Sequence, residues 1–335
     1  MKKGPRKNIL FFLIFILLSQ GVLYAQYFET IAQLKGLDLK IDTLRYHPNY
    51  DSSFKEAFRI EGEVSNTTIP VDWVVIAFGT GDAGIFNPRS MYLSGNNLDY
   101  QLYDSISSGN ILLDYNAASS LDDLIVINVG GKTGYFREKT SFEIEIPSGQ
   151  FVPSGLYKDQ PIAVELWGLL DLTGTGPQTT LSIADLANME LLDSLNFKIH
   201  TNASDVIRSA IVEKNGAFDF NSLPYKINFG TLTSGDIEEA DLVIEATSSY
   251  SVDVESLRGN RLKHTKVAEY VNYTFTFDGS PVTLPAGATV NLVTNAPASF
   301  SPGDRYPMEI QIEATIGFVP AGSYKDILSF TITAN

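Results

Sequence analysis

Gly79-Thr80-Gly81-Asp82-Ala83-Gly84 has the spacing G-x-G-x-x-G and comes after a strand-like run, Val71 to Phe78. In a dinucleotide site such glycines let the backbone approach a pyrophosphate held at a helix N-terminus, with an acidic residue about 20 positions on, where this chain has Asp99. The next residues, Ile85-Phe86-Asn87-Pro88-Arg89-Ser90, contain a proline and no helical period, so the glycines are read as a turn. Carboxylates adjoin at Asp122/Asp123, Glu143/Glu145 and Glu238/Glu239. Glycosidic chemistry needs two of them about 5–10 Å apart across a cleft. Glu143 and Glu145 share a strand face opposite the apolar one, which puts them in solvent. The run Ser234-Gly235-Asp236-Ile237-Glu238-Glu239 offers oxygens of the kind that hold Ca²⁺ but departs from EF-hand spacing. His47, His200 and His264 sit in unrelated contexts, and the absence of cysteine removes thiolate ligands, thiol nucleophiles and disulfides. The expectation is a protein that is no enzyme, with no catalytic residue, metal site or cofactor.

The elements behind these residues are strands. Phe58-Arg59-Ile60-Glu61-Gly62-Glu63-Val64, Phe142-Glu143-Ile144-Glu145-Ile146 and Met308-Glu309-Ile310-Gln311-Ile312 alternate apolar and polar side chains, the mark of a half-buried strand. Gly95-Asn96-Asn97, Ser107-Ser108-Gly109, Asp278-Gly279 and Pro285-Ala286-Gly287 punctuate them as turns. Many short strands with few helical periods predict an all-β sandwich or barrel. Ser182 with Asp185 resembles a capping box, and Ile183, Leu186 and Met189 come after it at helical spacing. Residues 173–190 are therefore read as an interdomain linker with a short helix.

At the N-terminus Lys2, Lys3, Arg6 and Lys7 precede the apolar run Ile9 to Leu18, and Leu23-Tyr24-Ala25 reads as a cleavage site before Gln26. That pattern makes 1–25 a secretory signal peptide, with a membrane anchor as the alternative. The whole chain carries 24 basic and 39 acidic residues; without the four basic ones in 1–25, 20 face 39, a net charge of −19. Such a surface is repelled by phosphate backbones, so no nucleic-acid partner is expected.

An internal repeat organises the rest. Residues 151–159 read FVPSGLYKD and residues 318–326 read FVPAGSYKD, matching at seven of nine positions with an offset of 167. An alternating strand precedes each copy and another succeeds it: Ile162, Val164 and Leu166 in the first, Leu328, Phe330 and Ile332 in the second. Upstream, Leu98 to Asp104 pairs with Val271 to Asp278. A period this long makes the repeat a whole domain. The expected division is 26–172 for an N-terminal β-sandwich, 173–190 for the linker and 191–335 for a C-terminal one.

Phe229-Gly230-Thr231-Leu232-Thr233-Ser234-Gly235-Asp236, Tyr250-Ser251-Val252-Asp253-Val254, Gly259-Asn260-Arg261-Leu262, Val271-Asn272-Tyr273 and Pro320-Ala321-Gly322-Ser323-Tyr324-Lys325-Asp326 occur in that order. The first copy has Pro88-Arg89-Ser90-Met91, Leu98 to Asp104 and Pro153 to Asp159. This series resembles the spore coat protein U domain, the pilin-type domain of archaic chaperone–usher pili, over 195–335 and more loosely over 58–168. The chain departs from that family in lacking cysteine, and Asp38 to Tyr50 matches none of its motifs.

The resemblance implies two tandem immunoglobulin-like sandwiches, the second incomplete and needing a donor strand. A periplasmic chaperone supplies that strand first and a neighbouring pilin subunit replaces it at the usher, by β-strand addition. The chain stops after one alternating strand, which leaves the groove and edge at Leu328, Phe330 and Ile332. A two-domain subunit is similar to a tip adhesin, exported through the periplasm to the cell surface or fimbrium, with an N-terminal domain that binds an unidentified surface receptor. The other reading is a free extracellular β-sandwich binding module, for example for carbohydrate. Ile85 and Phe86 after the glycine turn, and Tyr135 and Phe136 after Gly130-Gly131-Lys132-Thr133-Gly134, are the apolar loop residues that would touch such a receptor. Leu37, Leu39 and Ile41 alternate, so 36–44 is read either as a donor strand or as the first strand of domain one.

Overall fold

The computed structural model describes residues 32–35, 37, 40–49, 52–64, 71–130, 134–170, 176–218, 225–317 and 319–335. Residues 1–25, read from sequence as a signal peptide, and part of 36–44 lie outside the described residues. The chain is all-β and forms two β-sandwich units, one made of the residues up to Gln150 with Leu156–Asn202, the other of Phe151–Gly155 with Ala203–Asn335.

The first unit holds β1 (Ala32–Lys35), β2 (Lys40–Tyr46), β3 (Ser52–Val64), β4 (Val71–Phe78), β5 (Arg89–Leu93), β6 (Asn96–Tyr103), β7 (Ile125–Asn128), β8 (Gly134–Ile146), β9 (Gly155–Leu170) and β10 (Met189–Ala203). Their order is β1-β3-β8-β6-β5-β9-β10-β2, with β4 pairing both β7 and β9. The β9 strand joins two layers, meeting β5 at Tyr92↔Lys158 and β4 from Phe78↔Val164 to Val71↔Leu170. Its length and alternation dictate this: Tyr157, Asp159, Ile162, Val164 and Leu166 are fully buried, while the other residues between Tyr157 and Leu166 are more exposed. A cluster of rings forms the centre, with Phe142 4.9 Å from Phe78 and 5.8 Å from Phe197. Phe197 comes from β10, so that strand supplies core as well as backbone pairing.

The second unit holds β11 (Ile207–Glu213), β12 (Ile237–Ala246), β13 (Tyr250–Ser256), β14 (Arg261–His264), β15 (Tyr270–Phe277), β16 (Ser280–Val282), β17 (Thr289–Ala296), β18 (Ser299–Ile312), β19 (Tyr324–Lys325) and β20 (Leu328–Ala334). One sheet runs β11-β12-β18-β15-β14-β19, with β16 beside β15; the other is β17-β13-β20. Between them pack Leu242, Ile244, Tyr250, Val252, Val254 and Phe275, all nearly or fully buried.

Two boundaries differ from the sequence reading. The short helix is present as a 3-10 turn, Ile183–Asn188, and the Asp185 carboxylate accepts both the backbone N–H and the hydroxyl of Ser182 at 2.7 Å. It does not join two domains. Leu186 and Met189 are buried against Val75, Ala77 and Leu124 of the first unit, and β10 then enters that unit's sheet. Residues 191–202, expected to open the second domain, thus belong to the first, because their apolar side chains are used there. At the other end, Ile41 and Leu44 are buried in β2, at the sheet position next to β10.

The glycine turn has a structural cause. Gly81 opens a 3-10 turn, Gly81–Ala83, at φ +68°, and a Cβ there would overlap the Asp159 carboxylate. Gly81→Ala should therefore cost the first unit about 1–3 kcal/mol, read as a lower denaturation midpoint, whereas Gly84→Ala, with open space at its Cβ, should cost less.

Candidate functional site: an open sheet edge

Pairing patterns superimpose the two units strand for strand. In chain order β3, β4, β5, β6, β7 and β8 make the same neighbour contacts as β12, β13, β14, β15, β17 and β18. Likewise β1 corresponds to β11, and β9 to β19 and β20 together. β10 and β2 have no counterpart among the described residues of the second unit. So β9 is paired by β4, β5 and β10, whereas β20 among the described residues is paired by β13 alone.

Burial reflects that difference. Register places Leu328, Phe330 and Ile332 opposite Ser256, Val254 and Val252, all on the core face. The β13 residues are fully buried, but the three apolar side chains of β20 are only half-buried, as are Ile207 and Ile211 of the neighbouring β11. Phe330 touches the core through Phe275, ring centroids 6.4 Å apart, and is only half-buried. Finishing the burial of three such side chains is worth roughly 1 kcal/mol each.

The edge itself is undefended. Natural edge strands carry lysine, proline or inward charges that stop another strand from docking. Residues 327–335, ILSFTITAN, contain no charge and no proline, although the chain is strongly acidic. Outward positions are Ser329, Thr331 and Thr333, all exposed and β-compatible.

The repeated motif holds this edge in place. Its final aspartate accepts the hydroxyl of a buried tyrosine in both units: Tyr100 to Asp159 at 2.5 Å and Tyr273 to Asp326 at 2.7 Å. The same carboxylates secure the turn before the next strand, through the Asp82 N–H at 2.7 Å in the first unit and the Ser256 hydroxyl at 2.6 Å in the second. Burial, opposed by those hydrogen bonds, leaves the Asp159 carboxyl above its usual range. Burial first, and then the Asp326 carboxylate, push the Tyr273 hydroxyl far up. Both tyrosines therefore stay neutral donors, and the cluster fixes where β9 and β20 begin.

The other residues singled out by sequence fall in varied settings. Ile85 lies in the loop after the 3-10 turn and is 52% exposed. Phe86 is half-buried beneath the Arg89 guanidinium, 5.1 Å from its ring centre. Tyr135 and Phe136 do not sit at a loop tip: β8 starts at Gly134, pairs them with Glu63 and Gly62 of β3, and buries Phe136. Phe136 has the parity of Phe142, Ile144 and Ile146, but Glu138 and Thr140 interrupt the apolar alternation between them, so no local signal extended the strand that far. Asp123 caps the turn Leu121–Asp123 by accepting the N–H groups of Ser119 and Ser120 at 2.8 Å, and Glu143 pairs with Lys55. His264 is buried, accepting the N–H groups of Lys266 and Val267 on Nδ1 and donating from Nε2 to Ala321. Arg89, which in the sequence is only one member of Pro88-Arg89-Ser90-Met91, is a fully buried cation on backbone carbonyls.

No protein-family profile matches the chain, and no curated protein matches it. Solved structures do. The chaperone–tip adhesion subunit pre-assembly complex CsuC–CsuE, from archaic chaperone–usher Csu pili of Acinetobacter baumannii, is 13% identical over 88% of this chain and 98% of that chain, with a TM-score of 0.42. CfaE, the adhesive subunit of CFA/I fimbria of enterotoxigenic Escherichia coli, is 13% identical over 90% of this chain and 93% of that chain, with a TM-score of 0.35. The CupB6 tip adhesin from Pseudomonas aeruginosa is 11% identical over 84% and 86%, with a TM-score of 0.31.

Proposed function

We propose that this chain is an exported structural and adhesive subunit of a surface fibre whose second unit accepts an extended strand from another polypeptide along β20. The observation that carries the reading is the comparison inside the chain: the same strand is closed by β10 in one unit and uncovered in the other. The accepted strand has the chemistry of β10, where Phe197, Ile199 and Thr201 point inward at alternate positions and are fully buried. The resemblance of both repeats to pilin-type domains of chaperone–usher pili supports the same role. A periplasmic chaperone would cover β20 first, and a neighbouring subunit would replace it at the usher. Two units suit the tip of such a fibre, with the first unit, closed by its own β10, as the adhesive one. Its loop at Ile85, which is exposed, and Phe86, which is half-buried, is the proposed contact with a receptor; Tyr135 and Phe136 lie in β8 and are left out of it.

Hydrogen exchange tests this. In the isolated exported chain the β20 amides should exchange on the order of 100-fold faster than those of β9, because local opening of a one-sided edge strand is cheap. Adding a peptide of the β10 sequence, 189–203, should slow β20 and leave β9 unchanged. Equal protection of the two strands without any peptide, in a stable monomer, would instead make the protein a free binding module.

A further inference from the structure

A cationic cavity of about 110 Å³ opens where β20 begins. Arg258, Lys263, Lys325 and Asp326 line it, with the exposed apolar side chains of Leu257 and Ile327 beside them. Such a space holds several waters, and so takes a carboxylate. Register sets Lys263 of β14 directly opposite Lys325 of β19. Like charges so placed are destabilising. Among the described residues no ion pair reaches either lysine or Arg258. The Asp326 carboxylate is engaged elsewhere: Oδ2 accepts the hydroxyls of Ser256 and Tyr273, and Oδ1 accepts the N–H of Ile327.

The closed unit is built differently at this point. Lys158, which the repeat makes equivalent to Lys325, has Tyr92 opposite it. The facing lysines therefore belong to the unit whose last strand has one neighbour among the described residues. Backbone bonds show how the cavity meets that strand's uncovered edge. Leu257 N–H donates to Ile327 O, and Asn335 N–H to Ser249 O, both at 2.9 Å. Residues of an antiparallel strand alternate in the side they bond. Odd-numbered residues of β20 thus bond β13, and the N–H and C=O groups of Leu328, Phe330 and Ile332 point to the open side. Their side chains face the core, so Ile327 faces outward at the cavity. A strand added at the open side would lie roughly 4.8 Å from β20. Its outward side chain abreast of Ile327 would stand beside the cavity, next to the long side chain of Lys325.

We propose that the strand accepted along β20 carries an aspartate or glutamate that enters this cavity and fixes the strand's register. The proposal rests on the strand-accepting role argued above and names the chemistry of the incoming segment. Apolar alternation alone leaves the register open, because a slip of two residues keeps the same side chains on the core face. One carboxylate meeting three cations at one end of β20 removes that degeneracy, through charge-assisted hydrogen bonds. A carboxylate on a strand already held by backbone bonds is favoured over an anionic lipid surface, which the net −19 of residues 26–335 repels as a whole.

Calorimetric titration of the exported chain with peptides of the β10 sequence, 189–203, tests it. The parent peptide has Glu190→Gln and Asp193→Asn; each of the others carries one glutamate, at position 190, 194, 196, 198 or 202, all exposed in β10. At about 20 mM salt one position should bind roughly tenfold tighter than the parent. That gain should vanish at about 500 mM, where the screening length falls to a few ångströms. It should also vanish in the chain with Lys263→Gln and Lys325→Gln, and survive Lys226→Gln, a cation that does not line the cavity. Binding that is alike wherever the glutamate stands, or a gain that salt and the double substitution leave intact, overturns the inference while the strand-accepting role stands. Absence of binding by every peptide overturns both. Inorganic sulfate or phosphatidylglycerol vesicles bound through the two lysines, with no favoured glutamate position, would make the cavity a site for other anions and overturn the inference as well. The salt series uses the unsubstituted chain and stands even if a variant misfolds.

Discussion

An Arg89→Met chain should lose about 3–5 kcal/mol of first-unit stability, enough to leave that unit partly unfolded under mild conditions. The guanidinium is fully buried and donates to four acceptors: Gly79 O at 3.1 Å, Phe78 O at 3.2 Å, Leu112 O at 2.6 Å and Gln101 Oε1 at 2.6 Å. Methionine would fill much of the volume but leave the three carbonyls without the guanidinium in an apolar interior, at roughly 1–3 kcal/mol for each that finds no other donor, while Gln101 Oε1 keeps the Leu102 N–H. The arrangement has its own cost, since burial pulls the Arg89 pKa down to about 10. Even so the group stays charged at neutral pH. Urea denaturation followed at Trp73 and Trp167, both in the first unit, should show an earlier midpoint. A shift under about 1 kcal/mol would mean that water takes over the guanidinium's contacts.

Phe330→Ala should cost different amounts in two states of the same protein. In the isolated chain the ring is half-buried, so its removal should destabilise the second unit by about 1–2 kcal/mol. With a strand lying over β20 the ring becomes core, where the same truncation costs about 3–5 kcal/mol. The difference, about 2 kcal/mol, appears as strand affinity weakened roughly 30-fold. Calorimetric titration with the β10 peptide, paired with denaturation of the free chain, gives both numbers. Thr331→Ala on the outward face of the same strand is the control and should change neither by much. Equal losses for Phe330→Ala in the free and complexed chain would mean that no strand covers this face.

Much of this was legible in the residues. Alternation located β3, β8 and β18, and the repeated FVP-x-G-x-YKD located β9 and β20 as equivalent strands, because both signals are local. The reason for the repeat's final aspartate was not legible, since its tyrosine partner lies 59 residues away in one unit and 53 in the other. β10 shows the limit most clearly. Leu195-Asn196-Phe197-Lys198-Ile199 reads as a strand, but nothing local says which sheet it joins, and the repeat period pointed to the wrong one. Arg89 was unreadable for another reason: arginine is ordinarily exposed, and a buried one is defined by carbonyls that leave no trace in sequence. The open edge combined both cases. Its apolar alternation was plain, but its half-exposure is a statement about a missing neighbour.

The position of β10 in the chain also sets a timetable. Synthesis proceeds from the N-terminus, and domains fold as units once their residues are available. The first unit has every strand it uses by Ala203, before β11 begins at Ile207. It can thus reach its final form while the rest of the polypeptide is still being made. The second unit gains β20 only at Leu328–Ala334, and under the proposed function its completion then waits on the arrival of a strand from another polypeptide.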